Sequence, residues 1–263
     1  MKTFIRAFLT ELKRRVLSLS FAVPVIIVTA VYMASMIEEI KFMWNAETDV
    51  LYFWNMAQNI GYFSSLSLLC CTALNCTSFL NDYRSDYYRS SVIRSGKLNY
   101  TLSKFLSCVF TGGITLFLGV AVFISILSLK FPLIAEDSSN VEFYIRSADM
   151  YFTGELIKND NYIGFFGAFA FLAFLFGALW SAVGICVSAF ITDKYVASFS
   201  PYVIWYTSQS LLFGKFRTEV VFRGNYNVGG IGGSILFAVV YFGLIIAALG
   251  VIFCIKAGRR CEN

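Results

Sequence analysis

The chain has 263 residues, of which 58% are hydrophobic and 14% charged, and its formal net charge is +5. Soluble domains carry nearer a quarter charged residues, and a water-facing fold of this balance would expose large apolar patches. Composition therefore excludes an ordinary soluble enzyme and points to a chain dissolved in lipid.

The first 15 residues predict an amphipathic helix. Phe4, Ile5, Phe8, Leu9 and Leu12 form an apolar stripe, and Lys2, Arg6, Lys13 and Arg14 lie away from it. Such a helix lies in the plane of the membrane interface with its cations near anionic head groups. The plainer alternative is a basic flank that only sets topology.

Six windows free of Asp, Glu, Lys and Arg reach the roughly 20 residues that a spanning helix needs: 16–37, 50–81, 105–129, 161–192, 195–214 and 224–255. Trimmed at their polar ends, they predict spans at about 16–37, 58–80, 105–129, 162–191, 196–213 and 232–255. The first is expected to remain as a span, because its apolar core is long and no small-residue cleavage site follows it before Glu38 and Glu39. Pro24 and Pro201 fall early in the first and fifth spans, where a kink is allowed.

Between the second and third spans, residues 81–104 are polar, basic and rich in tyrosine. Asn81 or Asp82 can cap a short helix ending near Gly96 that presents Tyr83, Tyr87 and Tyr88. Tyr and Arg are the residues that interface anchors use, so this helix is expected to dock a partner rather than to be an ordinary solvated loop. Residues 130–161 are expected to be a solvated cap, with a short amphipathic helix at 141–151 as the alternative. Residues 214–233 carry Phe213, Phe216, Val220, Val221 and Phe222 and then Gly229, Gly230, Gly232 and Gly233. That is too apolar for a free loop, and a re-entrant or surface-lying segment fits, because irregular backbone at membrane depth must be sheltered by protein.

An even number of spans puts both termini on one side. The N-terminal segment, 81–104, 192–195 and the C-terminal tail together hold 14 of the 21 basic residues and 5 of the 16 acids. By the positive-inside rule that side is the cytoplasm, and the plasma membrane is the expected location. The net positive charge is thus a topology signal and implies no nucleic-acid partner.

Little catalytic chemistry is on offer. The chain has no histidine, which removes imidazole ligands and general bases. The Cys70-Cys71 pair and Cys76 match no zinc spacing. Neither Gly96-Lys97 nor Gly214-Lys215 is followed by Ser or Thr, so there is no P-loop. No catalytic residue, cofactor or metal is therefore assigned, and the chain is not expected to be an enzyme. The predicted spans contain no Asp, Glu, Lys or Arg, the groups on which proton-coupled carriers usually depend. Asn59, Asn75, Tyr202, Trp205 and Gln209 lie within the second and fifth windows. They fit the lining of a translocation path, and equally serve as helix–helix hydrogen bonds.

The stretch Asn81-Asp82-Tyr83-Arg84-Ser85-Asp86, then Arg94-Ser95-Gly96-Lys97, then Tyr100 and Lys104, resembles the first cytoplasmic loop of the permease subunits of ABC-2 type exporters. The six spans and the amphipathic N-terminal helix are similar to that family in topology over the whole chain, 1–263, as a single transmembrane domain. The unusually basic, glycine-rich segment at 214–233 departs from the family's re-entrant hairpin. The resemblance implies a homodimer of permease chains above two separate ATP-binding cassette subunits that bind ATP and Mg. It implies that 81–104 is the coupling loop, with Asp82, Tyr83, Arg84, Tyr87, Tyr88, Arg89 and Arg94 as coupling residues. The implied cargo is a hydrophobic or amphipathic peptide such as a toxin, bacteriocin or antimicrobial peptide. A carrier or channel working without an ATPase, and a non-transporting assembly protein, are the alternatives.

Overall fold

A computed structural model describes residues 2–45, 48–59, 63–135, 156, 159–212, 214–223 and 235–260. All the regular elements among them are helical: α1 (Lys2–Val16), α2 (Leu19–Phe42), α3 (Val50–Asn59), α4 (Phe63–Arg84), α5 (Tyr87–Ser95), α6 (Lys97–Ser128), α7 (Tyr162–Ser188), α8 (Lys194–Leu211), a 3-10 turn at Gly214–Phe216, α9 (Thr218–Arg223) and α10 (Ile235–Arg260).

Four helices are long and apolar enough to cross a bilayer: α2 over Phe21–Phe42, α6, α7 and α10. They make this a membrane protein. The other two expected windows are filled by α4 and α8, whose Ser, Thr, Asn and Gln residues dilute their apolar character. α7 is apolar on every side, as a helix enclosed by its neighbours should be. It is the centre of the bundle, with 83% of its most apolar window buried, against 17% for α10.

α6 and α7 approach closely because glycines face each other. A Cβ at Gly177 would lie 2.6 Å from the Gly112 carbonyl oxygen, and one at Gly112 would meet the Ser181 side chain. Small residues at a crossing bring backbones together, which is how helices associate where water exclusion gives no drive. Ser181 Oγ in turn donates to the Cys71 carbonyl of α4 (3.2 Å). On the far side of the bundle, α3 starts at an ordinary cap. The buried Asp49 carboxylate accepts from Tyr52 N–H (2.8 Å), and Val50 N–H donates to the Pro132 carbonyl (3.0 Å).

Both described chain ends lie at the same end of the bundle. Lys97 of α6 packs on Gly258 of α10, the Arg260 guanidinium sits over the Tyr83 ring, and Arg84 donates to the Thr192 carbonyl.

Several expected boundaries move. The 50–81 window holds two helices, α3 and α4, rather than one span from 58. α6 begins at Lys97, two turns before the expected 105, so most of the expected 81–104 loop is helical. Asn81 and Asp82 do not cap: α4 continues through them to Arg84. Asp86 takes the position before α5 with φ 55° and makes no capping side-chain bond, while Gly96 ends α5 at φ 81° as expected. The cause is pairing across helices, since Asp82 is bound to a cation of α6 and is not free to cap.

α1 reproduces the expected N-terminal helix, but its apolar stripe is divided. Ile5 and Leu9 are exposed, whereas Phe4, Phe8 and Leu12 are half-buried against the protein. In the 214–233 segment, α9 lies well inside the bundle. Phe222 stacks on Phe176, halfway along α7, with ring centroids 4.8 Å apart. Tyr241 of α10 donates to the Phe216 carbonyl (2.8 Å). The glycine run at 229–233 and the alternative helix at 141–151 lie outside the described residues.

Candidate functional site: a buried ion cluster joining three helices

Each of three helices brings two polar side chains to one point through i, i+4 spacing, which puts them on one face. α1 supplies Glu11 and Arg15, with Arg14 beside them; α4 supplies Ser78 and Asp82; α6 supplies Tyr100 and Lys104. Lys104 is 1% exposed, Asp82 2% and Glu11 7%. Lys104 Nζ donates to Glu11 Oε2 (3.0 Å) and, in a shorter contact, to Asp82 Oδ2. Tyr100 O–H donates to the same Asp82 oxygen (3.2 Å). Arg14 stands 3.6 Å from Asp82 and 3.8 Å from Glu11. Arg15 lies 4.0 Å from Glu11 and donates to Ser78 Oγ and to Cys108 Sγ.

A buried charge costs several kcal/mol unless it is paired and hydrogen-bonded, and here the pairs span residues 93 and 22 positions apart. The cluster therefore holds α1 to both α4 and α6. Burial is the largest single influence on the Glu11 carboxyl and pushes it up, but the Lys104 ammonium together with Arg15 and Arg14 outweighs it. The carboxyl is held below its ordinary 4.5. A depressed carboxylate stabilises the fold fully above its unfolded value and loses that contribution as pH falls through the folded value. The melting temperature in detergent should thus be independent of pH around pH 7, where Glu11 contributes in full, and fall below about pH 4.5. Glu11→Gln should flatten that acid limb, and identical limbs in the two proteins would refute the role given to Glu11.

The short helix α5 hangs beside this cluster. Tyr88 is buried and stacks on Tyr83 (5.1 Å), and Arg89 donates to the Tyr88 hydroxyl (3.3 Å) and pairs with Asp86 (3.3 Å). The Arg14 guanidinium covers the Tyr87 ring at 4.9 Å. Of the expected coupling residues, Asp82 and Tyr88 are thus buried and Tyr83 is half-buried. Arg84, Tyr87, Arg89 and Arg94 are exposed. Ile93, 85% exposed, and Leu98, 72% exposed, extend this outer surface and were not singled out from the sequence. Two bare aliphatic side chains in an otherwise polar stretch were the available signal.

The expected path residues are more scattered. Tyr202 and Trp205 pack together on α8 (5.9 Å), and the buried Trp205 indole N–H has no partner among the described residues. Gln209 instead ties α8 to α9 by donating to Thr218 Oγ1 (3.3 Å). Asn59 ends α3 and Asn75 lies within α4, and their side chains are outside the described set.

The sequence reading passed over Glu11 and its partnership with Lys104. The signal was present: Glu11 is the single acid in the first 37 residues. Among the described residues, no three Cys, Asp or Glu side chains group as a metal-ion site. Comparison with protein-family models, curated proteins and solved structures finds no match. The arrangement ties three helices together through buried, paired charges.

Proposed function

We propose that the chain is the permease subunit of an ATP-driven exporter in the plasma membrane, working as a homodimer with two separate ATP-binding cassette subunits that hold ATP and Mg. The observation that carries this reading is the ion cluster. It makes α1, α4 and α6 one mechanical unit immediately beside the exposed, aromatic and basic face of α5, so a push on α5 or α1 reaches three helices together. In this reading Arg84, Tyr87, Arg89 and Arg94 touch the ATPase, and Asp82, Tyr83 and Tyr88 position them.

α4 and α8 supply the fifth and sixth crossings. Their polar side chains suit helices that border a path, with Asn59, Asn75, Tyr202, Trp205 and Gln209 along it. α1 lies in the cytoplasmic interface on its exposed Ile5 and Leu9. Both termini lie in the cytoplasm in this reading, which the basic residues gathered at the α1 end of the bundle support. The α9 segment is re-entrant, and its contact with Phe176 at mid-bundle depth supports that. The cargo is a hydrophobic or amphipathic peptide.

Purification of the full chain from native membranes should bring down a P-loop ATPase, and vesicles holding the chain alone should move no peptide. Transport by the chain alone would make it a carrier or channel. Neither an ATPase nor transport would leave an assembly protein.

A further inference from the structure

Between the α1–α2 elbow and the facing sides of α4 and α6 lies a cavity of about 280 Å³. The ion cluster forms one wall. Hydroxyl side chains of Ser18, Thr77 and Ser78 line another, and Phe21 and Pro24 of α2 give it an apolar side. Three cations (Arg14, Arg15 and Lys104) face two carboxylates (Glu11 and Asp82), so the wall carries one surplus positive charge.

That surplus resides on Arg14. Lys104 is closely bound to both carboxylates, and Arg15 is committed to Ser78, Cys108 and Glu11. Arg14 stands at 3.6 and 3.8 Å from its two acids, and its side chain is 54% exposed. Charge-assisted contacts close to about 2.7–2.9 Å, so neither acid holds Arg14 at full strength. A cation with spare hydrogen-bonding capacity at the mouth of a hydroxyl-lined cavity takes an oxyanion. The apolar side at Phe21 and Pro24 calls for a ligand with a hydrocarbon part next to that anion. The exposed Ile5 and Leu9 of α1 put this elbow at the depth of lipid head groups.

We infer that this cavity binds the phosphate of an anionic phospholipid head group through Arg14, with the glycerol end against Phe21 and Pro24. The inference rests on α1 lying in the membrane interface and not on an ATPase, so it can hold where the coupling reading fails, and the reverse.

The test is thermal unfolding of the full chain in detergent, titrated with phosphatidylglycerol, phosphatidylcholine or inorganic phosphate. Phosphatidylglycerol is expected to raise the melting temperature and phosphatidylcholine to leave it unchanged. Arg14→Gln should raise the half-saturating phosphatidylglycerol concentration about tenfold, the loss of one charge-assisted contact. Arg259→Gln, an exposed cation at the same end of the bundle, should leave it unchanged. Thr77→Met narrows the cavity without touching an ion pair, and should reproduce the weakening if Arg14→Gln fails to fold. Protection by inorganic phosphate that vanishes in Arg14→Gln supports the same phosphate site with the free ion as its source. Equal protection by the two lipids, or protection that survives both cavity substitutions, overturns the inference.

Discussion

Lys104→Met should cost the fold about 3 kcal/mol or more, because it leaves two buried carboxylates facing each other without their shared cation. The side chains have similar length and shape, so the loss is of charge and not of volume. Arg14 and Arg15 stay within 3.6–4.0 Å of the acids and keep the cost towards the lower end of the range for broken buried pairs. Melting in detergent should fall by roughly 10 °C. The triple variant Glu11→Gln, Asp82→Asn, Lys104→Met should regain most of that, since a neutral cluster has nothing left to compensate. A Lys104→Met protein that melts within about 2 °C of the parent would mean that the cluster holds nothing together.

Tyr87→Asp combined with Arg89→Glu should reduce substrate-stimulated ATPase activity at least tenfold while leaving insertion and melting temperature intact. Both side chains are exposed, so neither change opens a cavity. Together they reverse the charge of the α5 surface, and exposed Tyr and Arg anchors of this kind each carry about 2 kcal/mol or more at partner interfaces. Tyr88→Ala is the contrasting control. Tyr88 is buried under Tyr83, so its loss should lower stability first. Full stimulated activity in the double variant, reconstituted with its ATPase, would remove α5 from the coupling role.

The helices were legible because charge is a strong punctuation mark in a membrane chain. The 161–192 window and the observed α7 share nearly the same start and end. The same rule failed where charges are paired. It stopped the third span at Lys104 and began a loop at Asn81, yet α6 and α4 run straight past those points because Lys104 and Asp82 neutralise each other. Pairing between positions this far apart has no local signature. The window from 50 to 81 misled for another reason. A charge-free stretch records only what lipid tolerates, and does not mark the break between α3 and α4. At the site, the exposed tyrosine and arginine surface of α5 was readable from composition, whereas the sorting into exposed Tyr87 and buried Tyr88 needed the packing.

α7 would be as comfortable in hydrocarbon as it is among its neighbours, so aversion to water does not explain why it sits in the middle. Its place is set by fit. The glycine seam with α6 and the Ser181 hydroxyl reaching α4 admit one alignment and penalise a slip along the axis. The centre of the bundle is thus specified by shape, and its α1 end by charge.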